Sequence, residues 1–144
     1  MSEAERLIET LGLQPHPEGG WYRETWRGPE GPDGRAVGTA IHFLLKAGER
    51  SHWHRVDANE IWLWHGGGPL RLSLAASDAG PVREVTLGGD LAAGQAVQHV
   101  VAANEWQAAE PLPGSSGYTL VSCVVIPGFD FAGFELAPEG WQPG

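Results

Sequence analysis

The sequence predicts a single all-β domain, and three observations carry that expectation. Short apolar runs recur along the 144 residues, 21 glycines and 11 prolines gather between them, and only the first dozen positions carry helix signals. Seven tryptophans and several Val/Leu runs argue for a packed core, so the glycines and prolines mark turns rather than disorder. The length suits one domain with a core of its own.

Taken in order, the chain opens on a short amphipathic helix. Ser2 and Glu5 form a capping box, Leu7, Ile8 and Leu11 fall on one face, and Gly12 stops the run. Pro15-His16-Pro17-Glu18-Gly19-Gly20 cannot continue a helix, because its prolines remove donors and restrict their predecessors, so it must be an ordered turn or an extended crossing. Strands are expected at about 21–27, 36–46, 50–56, 60–66, 70–76, 82–87, 96–101, 104–109 and 117–126. Turn residues separate them at 28–34, 66–69, 78–81, 88–90 and 111–114, the first of these reading as a hairpin tip. Strands spaced this evenly without helices between them suggest a sandwich or closed barrel. The tail Phe129-Asp130-Phe131-Ala132-Gly133-Phe134 brings three aromatics together, to be buried over the barrel or against a second subunit.

Composition excludes several functions. The net charge of −9 is spread along the chain with no Lys/Arg cluster, which argues against nucleic acid and anionic membrane surfaces as partners. Met1-Ser2-Glu3-Ala4-Glu5 has acids where a signal peptide needs positive charge, and no apolar run is long enough to cross a bilayer, so a cytoplasmic protein is expected. The single cysteine, Cys123, sits in an apolar run and reads as a buried small hydrophobe, neither bridged nor nucleophilic. There is no Gly-x-Ser-x-Gly elbow, and Gly66-Gly67-Gly68 lacks the helix and lysine of a phosphate cradle.

Chemistry first suggests itself at His52-Trp53-His54-Arg55. Residues two apart on a strand share a side, so both imidazoles could face one cavity, and Glu60 follows on the next strand. An imidazole beside a carboxylate suits a proton relay or a metal, and equally describes a surface His near a strand-edge Glu. In Glu60-Ile61-Trp62-Leu63-Trp64 the alternation sets Glu60, Trp62 and Trp64 on one face, where the indoles either line a site for sugars or flat heterocycles or fill the core. Alternation along 21–27 groups Tyr22, Glu24 and Trp26 against Arg23, Thr25 and Arg27, and only one set can look inward. An inward Arg23 would favour a carboxylate or phosphate on the ligand; an outward one would pair with an acidic neighbour. His16 and Glu18 could reach the barrel mouth, or in a dimer the pocket of the other subunit, but their turn reads foremost as structural; His42 and His65 read as structural or exposed.

Gly48, His54, Glu60 and Gly67 match the spacing of the first cupin motif, and 102–107 align with the second. The chain thus resembles the cupin superfamily, with Val56 and Gln107 standing where two of the usual histidine ligands belong. The resemblance implies His54, Glu60 and Gln107 as the ligands should a divalent transition metal bind, with His52 as a substitute and His99 a more distant candidate. A narrower resemblance spans nearly the whole chain. Residues 13–25, Ser51-His52-Trp53-His54-Arg55-Val56, Glu60-Ile61-Trp62, Trp106-Gln107-Ala108-Ala109 and Pro127-Gly128-Phe129-Asp130-Phe131 look like the type 5 cupin family, long labelled a domain of unknown function. This resemblance implies a double-stranded β-helix (jelly-roll) barrel, usually a homodimer, similar in fold to sugar-nucleotide epimerases, phosphomannose isomerases and storage proteins. It implies no settled reaction.

Three functions compete on these residues. The first is an epimerase or isomerase needing no metal and acting on a carbohydrate or sugar-nucleotide derivative, with His54 as base, Glu60 as its orienting or acid partner, Tyr22 as proton donor, and Arg23, Trp62, Trp64 and Gln107 binding the ligand. The second is a non-catalytic small-ligand-binding pocket, and the third a metal-dependent cupin enzyme, against which Val56 and Gln107 argue.

Overall fold

The computed structural model describes residues 1–114 and 116–144. Helix α1 (Glu3–Leu11) begins as expected, with the Ser2 hydroxyl accepting from the Glu5 N–H, and ends at Gly12 in the left-handed conformation. Eleven strands follow among the described residues: β1 (Gln14–Pro15), β2 (Trp21–Arg27), β3 (Thr39–Lys46), β4 (Ser51–Val56), β5 (Asn59–Gly67), β6 (Leu70–Ala75), β7 (Arg83–Leu87), β8 (Gln98–Val101), β9 (Trp106–Pro111), β10 (Tyr118–Ile126) and β11 (Phe134–Leu136). All nine expected strands are present. The second, β3, begins later than its apolar pattern suggests because Ala36 is held in an isolated bridge to Glu30, and the eighth, β9, because Asn104 adopts a φ of 67° in the preceding turn. The two additions, β1 and β11, are short pieces at the ends of the chain that pattern alone does not reveal.

The strands form two antiparallel sheets, β1-β2-β3-β10-β5-β8 and β11-β4-β9-β6-β7. Between them lies the main core, in which Phe43, Leu45, Trp62 and Val121 of the first sheet meet Leu70, Leu72, Leu74 and Ala109 of the second. Helix α1 lays Leu7, Ile8 and Leu11 on the outside of the first sheet, against Leu44 and Tyr118. The C-terminal tail covers the second sheet, where Trp141 packs on Trp106 with ring centroids 4.6 Å apart. The tail doubles back on its own barrel, with β11 pairing with β4. Phe134 is half-buried there, but Phe131 stays exposed, so folding back over the barrel covers only part of the tail's aromatics.

Two β-bulges interrupt the alternation on which the sequence reading relied. In β2, Glu24 lies opposite Ile41 while Trp26 lies opposite Ala40, so Thr25 is an extra residue. Directly paired residues share a face. The inward row is therefore Tyr22, Glu24 and Arg27, opposite Phe43, Ile41 and Thr39 respectively, a mixture of the two sets that alternation allowed. In β4, Ser51 lies opposite Ala109 and His54 opposite Gln107, again one residue too many on the bulged strand. This second bulge separates the two histidines.

No helix among the described residues is long and apolar enough to cross a membrane.

Candidate functional site

The core fills only part of the space between the sheets. At the end marked by Thr39, Val56, Glu60 and Val125 the sheets enclose a cavity of about 490 Å³, whose lining also includes His16, Glu18, Tyr22, Ile41, His54, Cys123 and, towards the mouth, Phe129, Asp130 and Phe131. Its size is that of a small-metabolite pocket.

The turn at 16–20 delivers two of the lining groups. The His16 N–H donates to the Gly20 carbonyl (2.9 Å) and the Gly19 N–H to the His16 carbonyl (3.0 Å), closing the turn, while the His52 N–H donates to the Glu18 carbonyl (2.9 Å) and ties it to β4. Gly19 has a φ of +108°, and a Cβ there would run into the Arg50 carbonyl oxygen. The turn can sit this close to β4 because that position is glycine.

The Glu18 side chain, 9% exposed, lies against His54, 3% exposed, with Oε2 3.1 Å from Nε2. Its other oxygen accepts from the Ser51 hydroxyl at 2.8 Å. Ser51 and His54 are three apart in sequence, and the β4 bulge is what turns both towards Glu18. His54 Nδ1 bonds the His52 backbone carbonyl at 2.8 Å. Burial lowers the His54 pKa, opposed by the nearby Glu60 carboxylate and the His52 carbonyl. Burial also raises the Glu18 pKa, opposed by His16 and the Ser51 hydroxyl.

Glu60 forms a second buried group. The Trp62 indole donates to Gln107 Oε1 (2.9 Å), which fixes the amide so that its Nε2 donates to Glu60 Oε1 (2.9 Å), and Cys123 lines the cavity with Glu60. Burial raises the Glu60 pKa, lowered again by His54 and raised further by Glu18. Burial likewise drives the Cys123 thiol well above its usual 9.0, helped by Glu60, so it stays a neutral thiol rather than a nucleophile. The Tyr22 ring, also on the cavity lining, meets His16 edge-on, with centroids 4.4 Å apart.

Of the residues singled out in the sequence, His54, Glu60 and Tyr22 do line one cavity. Gln107 stands behind Glu60 as its clamp. Trp62 is core behind that clamp, and Trp64 packs beside it with its indole donating to the Gly68 carbonyl, so neither lines the cavity. Arg23 borders the mouth, but it pairs with His42 on the outer face of β2, and its guanidinium donates to the Leu11 carbonyl at the end of α1 (3.3 Å). His52 is turned away, its Nε2 on the Pro138 carbonyl at 3.0 Å. Two members of the site, Glu18 and Ser51, were not singled out for chemistry. Glu18 had a signal in the Pro-His-Pro-Glu-Gly-Gly turn, but nothing local says which strand the turn touches.

The donor set does not fit a cupin metal. Val56 cannot ligate, both polar atoms of Gln107 are engaged, and the His52 ring lies elsewhere. Among the described residues no three His, Cys, Asp or Glu side chains are grouped so as to hold an ion.

Two antiparallel sheets wrapped into a barrel, packed at one end and open at the other onto a polar cavity, define a cupin-type pocket protein. The sequence matches the family described as Cupin superfamily (DUF985) over residues 5–137, and the chain belongs to that family. It is 38% identical to a solved protein of Shewanella oneidensis, with a TM-score of 0.87 over 95% of this chain and 85% of that one. A hypothetical protein from Leishmania major is similar too, at 32% identity and a TM-score of 0.86, covering 98% and 90%. Oxalate decarboxylase from Bacillus subtilis shares the fold at 15% identity, with a TM-score of 0.63 over 85% of this chain and 29% of that one. No curated protein matches the chain.

Proposed function

We propose that the protein is an isomerase or epimerase that moves a proton on a small polar metabolite of carbohydrate type, without a metal. The observation that carries this reading is the buried contact between His54 and a carboxyl group, Oε2 of Glu18 lying 3.1 Å from Nε2 on the wall of a cavity large enough for one sugar ring. Proton transfer needs an acid and a base whose pKa values are drawn towards each other, and burial moves the carboxyl up and the imidazole down. Glu60, clamped by Gln107, contributes a second carboxyl to the same cavity, and Tyr22, packed against His16, lines it as a further donor. Phe129 and Phe131 at the mouth supply apolar faces on which a sugar ring can rest.

The test is solvent deuterium exchange. The protein is incubated in deuterated buffer with aldoses, ketoses, hexosamines and sugar nucleotides, and each is followed by proton NMR. Loss of the signal at the carbon next to the carbonyl, abolished in His54→Asn, is the expected result. A compound that binds and never exchanges would replace this reading with that of a capture pocket.

A further inference from the structure

The hydrogen bonds around His54 decide which group starts with the transferable proton. A backbone carbonyl can only accept, so Nδ1 of His54 must be the protonated nitrogen in its bond to the His52 carbonyl. A neutral His54 then presents a bare lone pair at Nε2, and the atom facing it is Glu18 Oε2. Two acceptors do not approach to 3.1 Å without a proton between them. The pair thus holds one proton, either as carboxylic acid with neutral imidazole or as carboxylate with imidazolium.

The surroundings select the first form. Of the groups about the pair, His16 receives the Glu18 backbone N–H on Nδ1 (3.1 Å), so that nitrogen is bare and His16 is the neutral Nε2–H tautomer. Glu60 comes from β5, with the Gln107 amide of β9 donating to it and Cys123 of β10 lining the same cavity as a neutral thiol. On β2, Glu24 is matched by Arg27 at 2.8 Å, Asp130 sits at the mouth, and His52 is turned away. No Lys or Arg among the described residues pairs with Glu18 or Glu60. The Ser51 hydroxyl on Glu18 and the Glu60 carboxyl near His54 favour the charged forms, but with no cation at hand burial outweighs them for both groups and moves each towards its neutral form.

Resting on the proton-transfer reading, we propose that Glu18 is a catalytic residue, the resident carboxylic acid whose O–H is held by His54 Nε2, and that His54 becomes a base only when Glu18 gives that proton away. In the forward step the Glu18 O–H proton passes to a carbonyl oxygen of the substrate. The freed Nε2 lone pair takes the proton from the adjacent carbon, and the electron pair of that C–H bond forms the enol C=C. The pair is left as carboxylate and imidazolium, so the net charge of the site is unchanged. Return of a proton to carbon from Nε2, and of the enol proton to Glu18, completes the exchange.

The test needs no substrate. In protein labelled with 15N-histidine and 13C-glutamate, long-range proton–nitrogen correlation at neutral pH should show His54 as the Nδ1–H tautomer with a hydrogen-bonded Nε2. His16 should appear as the Nε2–H tautomer, and the Glu18 carboxyl carbon at the position of a protonated acid. Glu18→Gln should keep both tautomers, since its amide can donate where the O–H did, and Glu18→Ala should shift His54 Nε2 to the value of a free lone pair. An imidazolium signal from His54, its Nε2–H tautomer, or an ionised Glu18 carboxyl in the wild type would overturn the proposal. If a substrate is found by deuterium exchange, Glu18→Gln should slow that exchange by about 100-fold or more. Absence of exchange with every compound would count against the enzyme reading alone and leave the spectra to decide the proton's position.

Discussion

Glu18 and Glu60 are carboxyls held in a space that favours their neutral forms, and His16 and His54 are imidazoles under the same pressure. For the two glutamates the folded pKa lies above the usual 4.5, so their contribution to stability is complete below that value and is lost as the pH rises through the folded pKa. For the two histidines the folded pKa lies below 6.5, so theirs is present above that value and is lost as the pH falls through the folded pKa. The signs oppose, and a melting temperature that peaks in the mildly acidic range is expected from calorimetry across pH. Glu18→Gln should remove part of the decline on the alkaline side while leaving the acid side in place. Gln107 gives a sharper test. Gln107→Leu strips a partner from both Glu60 and the Trp62 indole, and leaving two buried polar groups unpaired should cost about 2–4 kcal/mol in denaturant unfolding.

Elements, rather than single residues, decide what faces the cavity. Alternation put His52 beside His54, and the bulge in β4 sends one to the Pro138 carbonyl and the other to Glu18. In the same way the bulge in β2 brings Arg27 inward and leaves Arg23 outside. The 16–20 turn behaves as a fixed element because Gly19 and Gly20 both have positive φ and both are crowded, the latter by Leu45 and Phe43. Gly19→Ala should therefore destabilise the fold by about 2 kcal/mol or more, through backbone strain together with the clash on Arg50. It should also move the His54 Nε2 resonance by withdrawing Glu18, whereas a mutation that only weakens the fold would leave that resonance in place.

On the scale of the whole molecule, the barrel keeps open sheet edges, and one of them, β8, carries the exposed Val100 with the exposed Val97 just before it. Bare apolar edges need cover. Pairing with a second copy is the expected outcome, read as sedimentation at twice the 15.4 kDa chain mass, with Val100→Lys shifting the population towards monomer. The large-scale pattern was legible because it is written in local chemistry: the nine strands, their turn clusters and the capped helix all follow from hydrophobic period and from where Gly and Pro fall, while pattern alone left a sandwich or a barrel open and the family resemblance pointed to the jelly roll. Of the site, Glu60 and Tyr22 were legible because each precedes any break in the alternation of its strand, while His54 was legible through its spacing to Glu60 although the β4 bulge, not alternation, turns it inward.

What the sequence by itself determined is the fold class, the order of its elements and a short list of polar residues with the means to do proton chemistry. The tertiary structure decided which of them meet. Glu18 is 36 positions from His54, and neither side chain contains any local sign of the other. Their contact exists because a glycine lets one turn press against β4 and because one extra residue in that strand rotates His54 towards it. Bulges and close approaches of backbone depend on how sheets twist and pack around a common core, a property of the assembled barrel that no stretch of its sequence carries alone.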